Sequence, residues 1–161
     1  MKKLIFAVFA MMFAQCVMAQ KVVGFEAGRV FVQRDFEQVA SYKSFRSYVY
    51  IATDGFTGEK QIAGMISSAK MDYEEVCAFV DAMGKMQDAF KNKIEINQTS
   101  FVLESKSGVK FIANTFRDKS KEMLFEAGSV AMSVNDREFA EIVDFFAKLK
   151  AAMEKYPELI K

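Results

Sequence analysis

Two stretches of the chain place apolar residues at helical spacing. Over residues 72–91 these are Val76, Phe79, Val80, Met83, Met86 and Phe90; over 135–155 they are Phe139, Ile142, Val143, Phe146, Leu149 and Met153. Each stretch opens on a side chain able to accept from first-turn backbone, with a glutamate three residues on: Asp72 with Glu75, and Asn135 with Glu138. That spacing is a capping box, in which the two side chains satisfy each other's backbone N–H groups. The pattern predicts two amphipathic helices. All of these positions are related by a constant offset of 63, and Val80-Asp81 and Lys85 return in the same way as Val143-Asp144 and Lys148. Any two capped amphipathic helices share a stripe, but the stripe does not explain why the caps, the Asp and the Lys also coincide. Lys43-Ser44 and Lys106-Ser107 keep the offset too, which suggests an internal repeat of strands followed by a helix.

Ahead of each helix the hydrophobic period shortens to two. The first helix follows a strand over 47–53 (SYVYIAT), a turn through Asp54-Gly55-Phe56-Thr57-Gly58, and a strand over 61–69. The second follows strands over 99–105, 109–116 and 122–134. Turns are expected at Ser105-Lys106-Ser107-Gly108 and over 117–121, and a bulge at Gly128. Residues 22–25 and 29–33 add one or two strands, broken at Gly28. Strands grouped ahead of each helix argue against alternating βαβ units. The expected class is α+β: an antiparallel sheet of about six or seven strands with two amphipathic helices packed on one face. With only Pro157 beyond the last helix and no Pro- or Ser-rich linker, residues 20–161 read as a single domain.

The first 19 residues read as a cleaved signal peptide. Lys2 and Lys3 precede an uncharged apolar run from Leu4 to Ala14, and Val17-Met18-Ala19 places small residues ahead of a cut before Gln20. The apolar run is short of the ~18 residues needed to span a bilayer. Lipid attachment at Cys16 is disfavoured by Gln15 and Phe13 at the flanking positions that lipoprotein signals keep small and aliphatic. The expected location is a bacterial periplasm or the exterior, with no transmembrane segment in the mature chain. Asn97-Gln98-Thr99 matches a glycosylation sequon, which matters only for a eukaryotic source.

Cleavage changes the composition that counts. The chain has 161 residues and a formal charge of +1; without Lys2 and Lys3, 20 basic residues face 21 acidic ones over 142 residues. That is no electrostatic footprint for nucleic acid. Cys77 is the one thiol left, so no intramolecular disulfide forms and the core must hold the fold.

Histidine is absent from the whole chain. Its absence excludes Ser-His-Asp and Cys-His nucleophile pairs, an imidazole base and His-ligated metal sites. Cys77 lies in a first helical turn but among Asp72, Glu74 and Glu75, which disfavour a thiolate, and reads as a small core-edge hydrophobe. Carboxylates cluster on both helices (Asp72, Glu74, Glu75 and Asp81; Asp136, Glu138, Glu141 and Asp144), where the helix dipole is sufficient cause for most of them. The 54–59 turn lacks the alternating ligands of a calcium loop, and Gly24 and Gly28 do not open a phosphate-binding helix. No cofactor, metal or catalytic set is expected.

Residues 41–50 interleave aromatics with two cations and hold three of the five tyrosines. Tyr42, Phe45, Arg46, Tyr48 and Tyr50 are the candidate interaction surface. Tyr48 and Tyr50 share a strand face with Ala52, and Val49 and Ile51 the other. If the helices cover Val49 and Ile51, the tyrosines stand on the open face of the sheet, suited to protein or glycan contact. The commoner alternative is that they face the helices and express β-propensity alone.

The mature chain also keeps 14 phenylalanines and 7 methionines. These would line a pocket for an apolar ligand or, more simply, fill a core. The expected function is a small exported, non-enzymatic binding protein with a protein or glycan partner in the cell envelope. The alternatives are a carrier of an apolar ligand between sheet and helices, and a carboxylate-dependent hydrolase of envelope glycans, which would need two acids facing across a cleft.

Overall fold

The computed structural model describes residues 24–26, 29–91, 99–118 and 120–160, with side chains described from Arg34 onward. The signal segment, Cys16 and Asn97-Gln98 of the sequon lie outside the described residues. Among the described residues the order is β1 (Gly24–Glu26), β2 (Arg29–Tyr42), β3 (Phe45–Asp54), β4 (Lys60–Ile66), β5 (Ala69–Met71) and α1 (Tyr73–Lys91). Then come β6 (Ser100–Glu104), β7 (Lys110–Thr115), β8 (Lys121–Ala127), β9 (Val130–Val134), α2 (Asp136–Met153) and a 3-10 turn at Pro157–Leu159.

The strands form two antiparallel sheets, ordered β1-β2-β3-β4-β5 and β6-β7-β8-β9. The class is α+β with a tandem repeat, β2–β5 leading into α1 and β6–β9 into α2. The described residues form nine strands, more than the sequence pattern counts, because two runs that read as single strands each contain a tight turn. The run 61–69 breaks at Ser67-Ser68 and the run 122–134 at Gly128-Ser129. Ser67 and Gly128 take φ of 56° and 62°, the left-handed conformation that two-residue hairpins require. Gly128 is therefore a turn residue and not a bulge, with Ala127 and Val130 paired across it. Strand β2 continues through Arg34-Asp35-Phe36-Glu37-Gln38, where the polar residues mask the alternation.

A Cβ on Gly128 would collide with Ser68 Oγ. Gly128→Ala is expected to cost about 1–3 kcal/mol, from the backbone conformation and the collision together. Adding Ser68→Ala should recover the steric part alone, which a double-mutant cycle in urea measures. No recovery would exclude the collision as a cause.

The described residues cluster into two compact units, those up to Asp35 with 51–61 and those of 36–50 with 62 onward. The first includes the β3–β4 turn. There the buried Asp54 accepts from the N–H groups of Phe56 (2.8 Å) and Thr57 (3.1 Å), and Phe56 stands 79% exposed at the tip. The second holds both helices, the second sheet and the remaining parts of β2, β3 and β4. Its core is built ring on ring. Phe79 stacks on Phe146 (centroids 5.2 Å apart) and Phe111 on Phe139 (5.0 Å), while Phe125 meets both Phe146 (5.8 Å) and Phe45 (4.4 Å).

Within this unit, the residues that recur at the 63-residue offset join the two repeats reciprocally. Lys106, in the β6–β7 turn, donates its N–H to Glu75 Oε1 (2.8 Å), and its Nζ lies 3.0 Å from Asp72 Oδ2 at the start of α1. Lys43, in the β2–β3 turn, pairs with Glu138 at the start of α2. The same glutamates close the capping boxes: Glu75 Oε2 accepts from Asp72 N (3.0 Å) and Glu138 Oε2 from Asn135 N (2.9 Å). Asp81–Lys85 and Asp144–Lys148 are exposed i,i+4 pairs, each at 2.6 Å, of the kind that adds a few tenths of a kcal/mol.

The hydrogen bond from Lys43, and then the Asn135 N–H, hold the Glu138 carboxyl below the ordinary glutamate range. A lowered folded pKa means that the unfolded chain binds this proton more tightly. The stabilisation is therefore complete above the unfolded value, about 4.3, and is lost as pH falls through the folded one. Glu138→Gln is expected to flatten the acid limb of stability below about pH 4.3 and leave the slope between about pH 6 and 8 unchanged. Urea midpoints measured against pH would show an unaltered acid limb if this pair were irrelevant.

Candidate functional site

In β3 the alternation sends Phe45, Ser47 and Val49 into the core and turns Arg46, Tyr48 and Tyr50 to the face away from the helices. On that face Phe36 of β2 meets Tyr48 edge-on (centroids 6.4 Å) and Tyr50 at a tilt (5.3 Å), and Lys70 Nζ of β5 lies 5.5 Å from the Tyr50 ring centre. Phe36 is 51% exposed.

The five residues singled out from the sequence separate on this scaffold. Phe45 is in the core, on the opposite face of the strand from Arg46 and Tyr48, because its odd position shares the phase of Ser47 and Val49. Tyr42 is buried beside Lys43; burial first, and then the Glu138 charge, push its phenol pKa up. Tyr50 is roofed by Phe36 and Lys70. Arg46 is exposed and Tyr48 half-buried. Phe36 was missed. Its signal was a single aromatic in a polar run, which shows its meaning only once β2 is laid beside β3.

The second sheet carries a different open face. Its strand register aligns three rows across it: Ser100, Asn114 and Glu122; Val102, Ile112, Leu124 and Ser133; and Glu104, Lys110, Glu126 and Ala131. The middle row is apolar along most of its length, and Val102 is 53% exposed. A shallow groove of about 470 Å³ lies here, lined among others by Ile112, Asn114, Glu122, Leu124 and Ser133.

Several helix carboxylates are engaged in structural contacts. Asp72, Glu75 and Glu138 cap and lock as described, Asp136 pairs with Lys121 (2.6 Å), and Glu141 with Arg137 (3.6 Å). Cys77 is half-buried one turn along α1 from Tyr73, whose hydroxyl donates to Glu154 Oε1 at 2.8 Å. Hydrogen bonding to Cys77, and then to Glu154, pushes the Tyr73 phenol above its ordinary range. Among the described residues no group of three or more His, Cys, Asp or Glu is placed to hold a metal, and no helix is long and apolar enough to cross a membrane.

Fold and faces together define a tandem-repeat α+β protein with two chemically distinct open sheet surfaces, one aromatic and cationic, the other apolar and rich in carboxylates. Compared with protein-family models, curated proteins and solved structures, the chain matches none.

Proposed function

We propose that the chain is an exported, non-enzymatic binding protein that takes a protein partner in the cell envelope on the open face of the first sheet, around Phe36, Arg46 and Tyr48. The observation that carries the reading is the Phe36 ring, half exposed on a strand and braced by two tyrosines, with cations on the same face. An aromatic ring held in place by other rings is the composition of interface anchors, and burying its exposed half against a partner contributes about 1 kcal/mol. The sequence supports export, through the charged start, the apolar run and the small residues before Gln20. The filling of the space between helices and sheets by phenylalanine rings favours this reading over the apolar-ligand carrier. The role of the helix carboxylates as caps and locks favours it over the glycan hydrolase.

Photo-cross-linking residues placed at positions 36 and 48 of the chain from Gln20, in the native envelope fraction, should capture one protein, and the same residue at the exposed Lys85 on α1 should not. Phe36→Ala is expected to weaken that complex about tenfold or more. Equal capture from all three positions would overturn the surface assignment. A glycan recovered in place of a protein would overturn the partner class.

A further inference from the structure

The geometry points to a second docking surface, on the open face of the second sheet, for an extended basic segment of a partner protein whose lysines or arginines flank an apolar side chain at i and i+4. It is separate from the Phe36 surface, so failure of either leaves the other standing. Its floor is the Val102–Ile112–Leu124 row, with the half-exposed Val102 at one end and the groove over Ile112 and Leu124. The rows on either side supply carboxylates, Glu122 in one and Glu126 with Glu104 in the other.

Nearby cations offset these acids only in part: Lys110 stands between Glu104 and Glu126 in its row, and Lys121 borders the groove. Lys110 pairs with Glu104 at 3.6 Å, and the Lys121 ammonium is drawn to Asp136 (2.6 Å) and over the Phe90 ring (4.6 Å). Along these rows Glu104, Glu122 and Glu126 face the one cation Lys110, and the surplus negative charge is left to a partner's cations.

The spacing defines the ligand further. Glu122, Leu124 and Glu126 lie two residues apart on one face of β8, so the two carboxylates stand about 14 Å apart at about 3.4 Å per residue, with the apolar position midway. An extended peptide lying along β8 repeats that spacing at its own i, i+2 and i+4 positions. A cation, an apolar side chain and a cation would then meet Glu122, Leu124 and Glu126 in turn.

The probe is a capped heptapeptide, Ser-Lys-Thr-Val-Thr-Lys-Ser, titrated into the chain from Gln20 and followed by backbone amide NMR shifts. Its composition-matched isomer, Ser-Thr-Lys-Val-Lys-Thr-Ser, puts the lysines on the face opposite the valine. The first peptide should shift the amides of β7 and β8 and bind at least tenfold tighter than the isomer or a glutamate-for-lysine version. Its binding should weaken with added salt. Glu122→Lys with Glu126→Lys should lower its affinity at least tenfold, with circular dichroism confirming the fold; Val102→Asn, at an exposed position, provides a second variant. The proposal is overturned by equal binding of the isomer or the glutamate peptide, or by absence of binding at millimolar peptide. It is equally overturned by sedimentation showing that a second copy of the chain occupies this face in a dimer that Val102→Asn dissociates.

Discussion

Phe146→Ala is expected to lower the unfolding free energy by about 3–5 kcal/mol, the range for truncating a buried phenylalanine. Phe146 is fully buried in α2 and stacks on Phe79 of α1 with only 20° between ring planes; its other side meets Phe125 of β8 nearly edge-on, at 70°. One ring therefore ties both helices to the second sheet, and its removal leaves a void that three separate elements would have to close. A domain of this size has a total stability of about 5–15 kcal/mol, so the loss is about a fifth of it or more. Phe56→Ala is the control: that ring is 79% exposed, and its loss should stay within about 0.5 kcal/mol. Urea denaturation of both variants tests the contrast. A Phe146→Ala loss below about 1 kcal/mol would contradict the packing.

Both helices, their caps and most of their core stripes were legible in the sequence, because a helix satisfies its backbone locally and its pattern needs no partner; Val80, Phe90 and Val143 are only half-buried, and Phe145 joins the core beside the stripe. The recurrence at 63 was legible as well, and the contacts give it a cause. Lys43 and Lys106, with Glu138 and Glu75, are the residues by which each half caps its own helix and grips the other half. Those positions recur because they carry structure, so the places where the halves differ are where to look for function.

The open faces fit that expectation. Three residues beyond the first buried position after each Lys-Ser turn, the first repeat has Tyr48 after Phe45, and the second has Ile112 after Val109. Where β5 carries Lys70 before buried Met71, β9 carries Ser133 before buried Val134. Cross-strand neighbours such as Phe36 with Tyr50, or Val102 with Ile112, were not legible. They depend on register between distant segments, and a one-residue slip would change every pair. Ser67-Ser68 was missed for a local reason: serine is an uncommon choice for the left-handed turn position that glycine takes at 128.

The asymmetry between the halves reaches the core, and Gly64→Ala tests it. Gly64 is the fifth residue of β4, and the fifth residue of β8 is Phe125. In the second half the position fills space with a ring; in the first it leaves space, because α2 sends Leu149 against the strand. A Cβ on Gly64 would sit 2.9 Å from Leu149 Cδ2, 3.3 Å from its Cγ and 3.3 Å from Val76 Cγ2. Leu149 and Val76 are both fully buried, so neither has open room to move into. Restricting the unfolded chain by Gly→Ala would alone stabilise by about 0.4–1 kcal/mol, but overpacking at a closed site outweighs it, and a net loss of about 1–3 kcal/mol is expected. Leu149→Ala alone should cost about 2–5 kcal/mol. In the double variant the new methyl occupies part of the space that leucine vacates, so its loss should fall short of the sum of the two single losses by at least about 0.5 kcal/mol. Strict additivity, or a Gly64→Ala chain more stable than the parent, would mean that α2 does not press on β4 here. The two halves would then share more of their core plan than their backbones alone require.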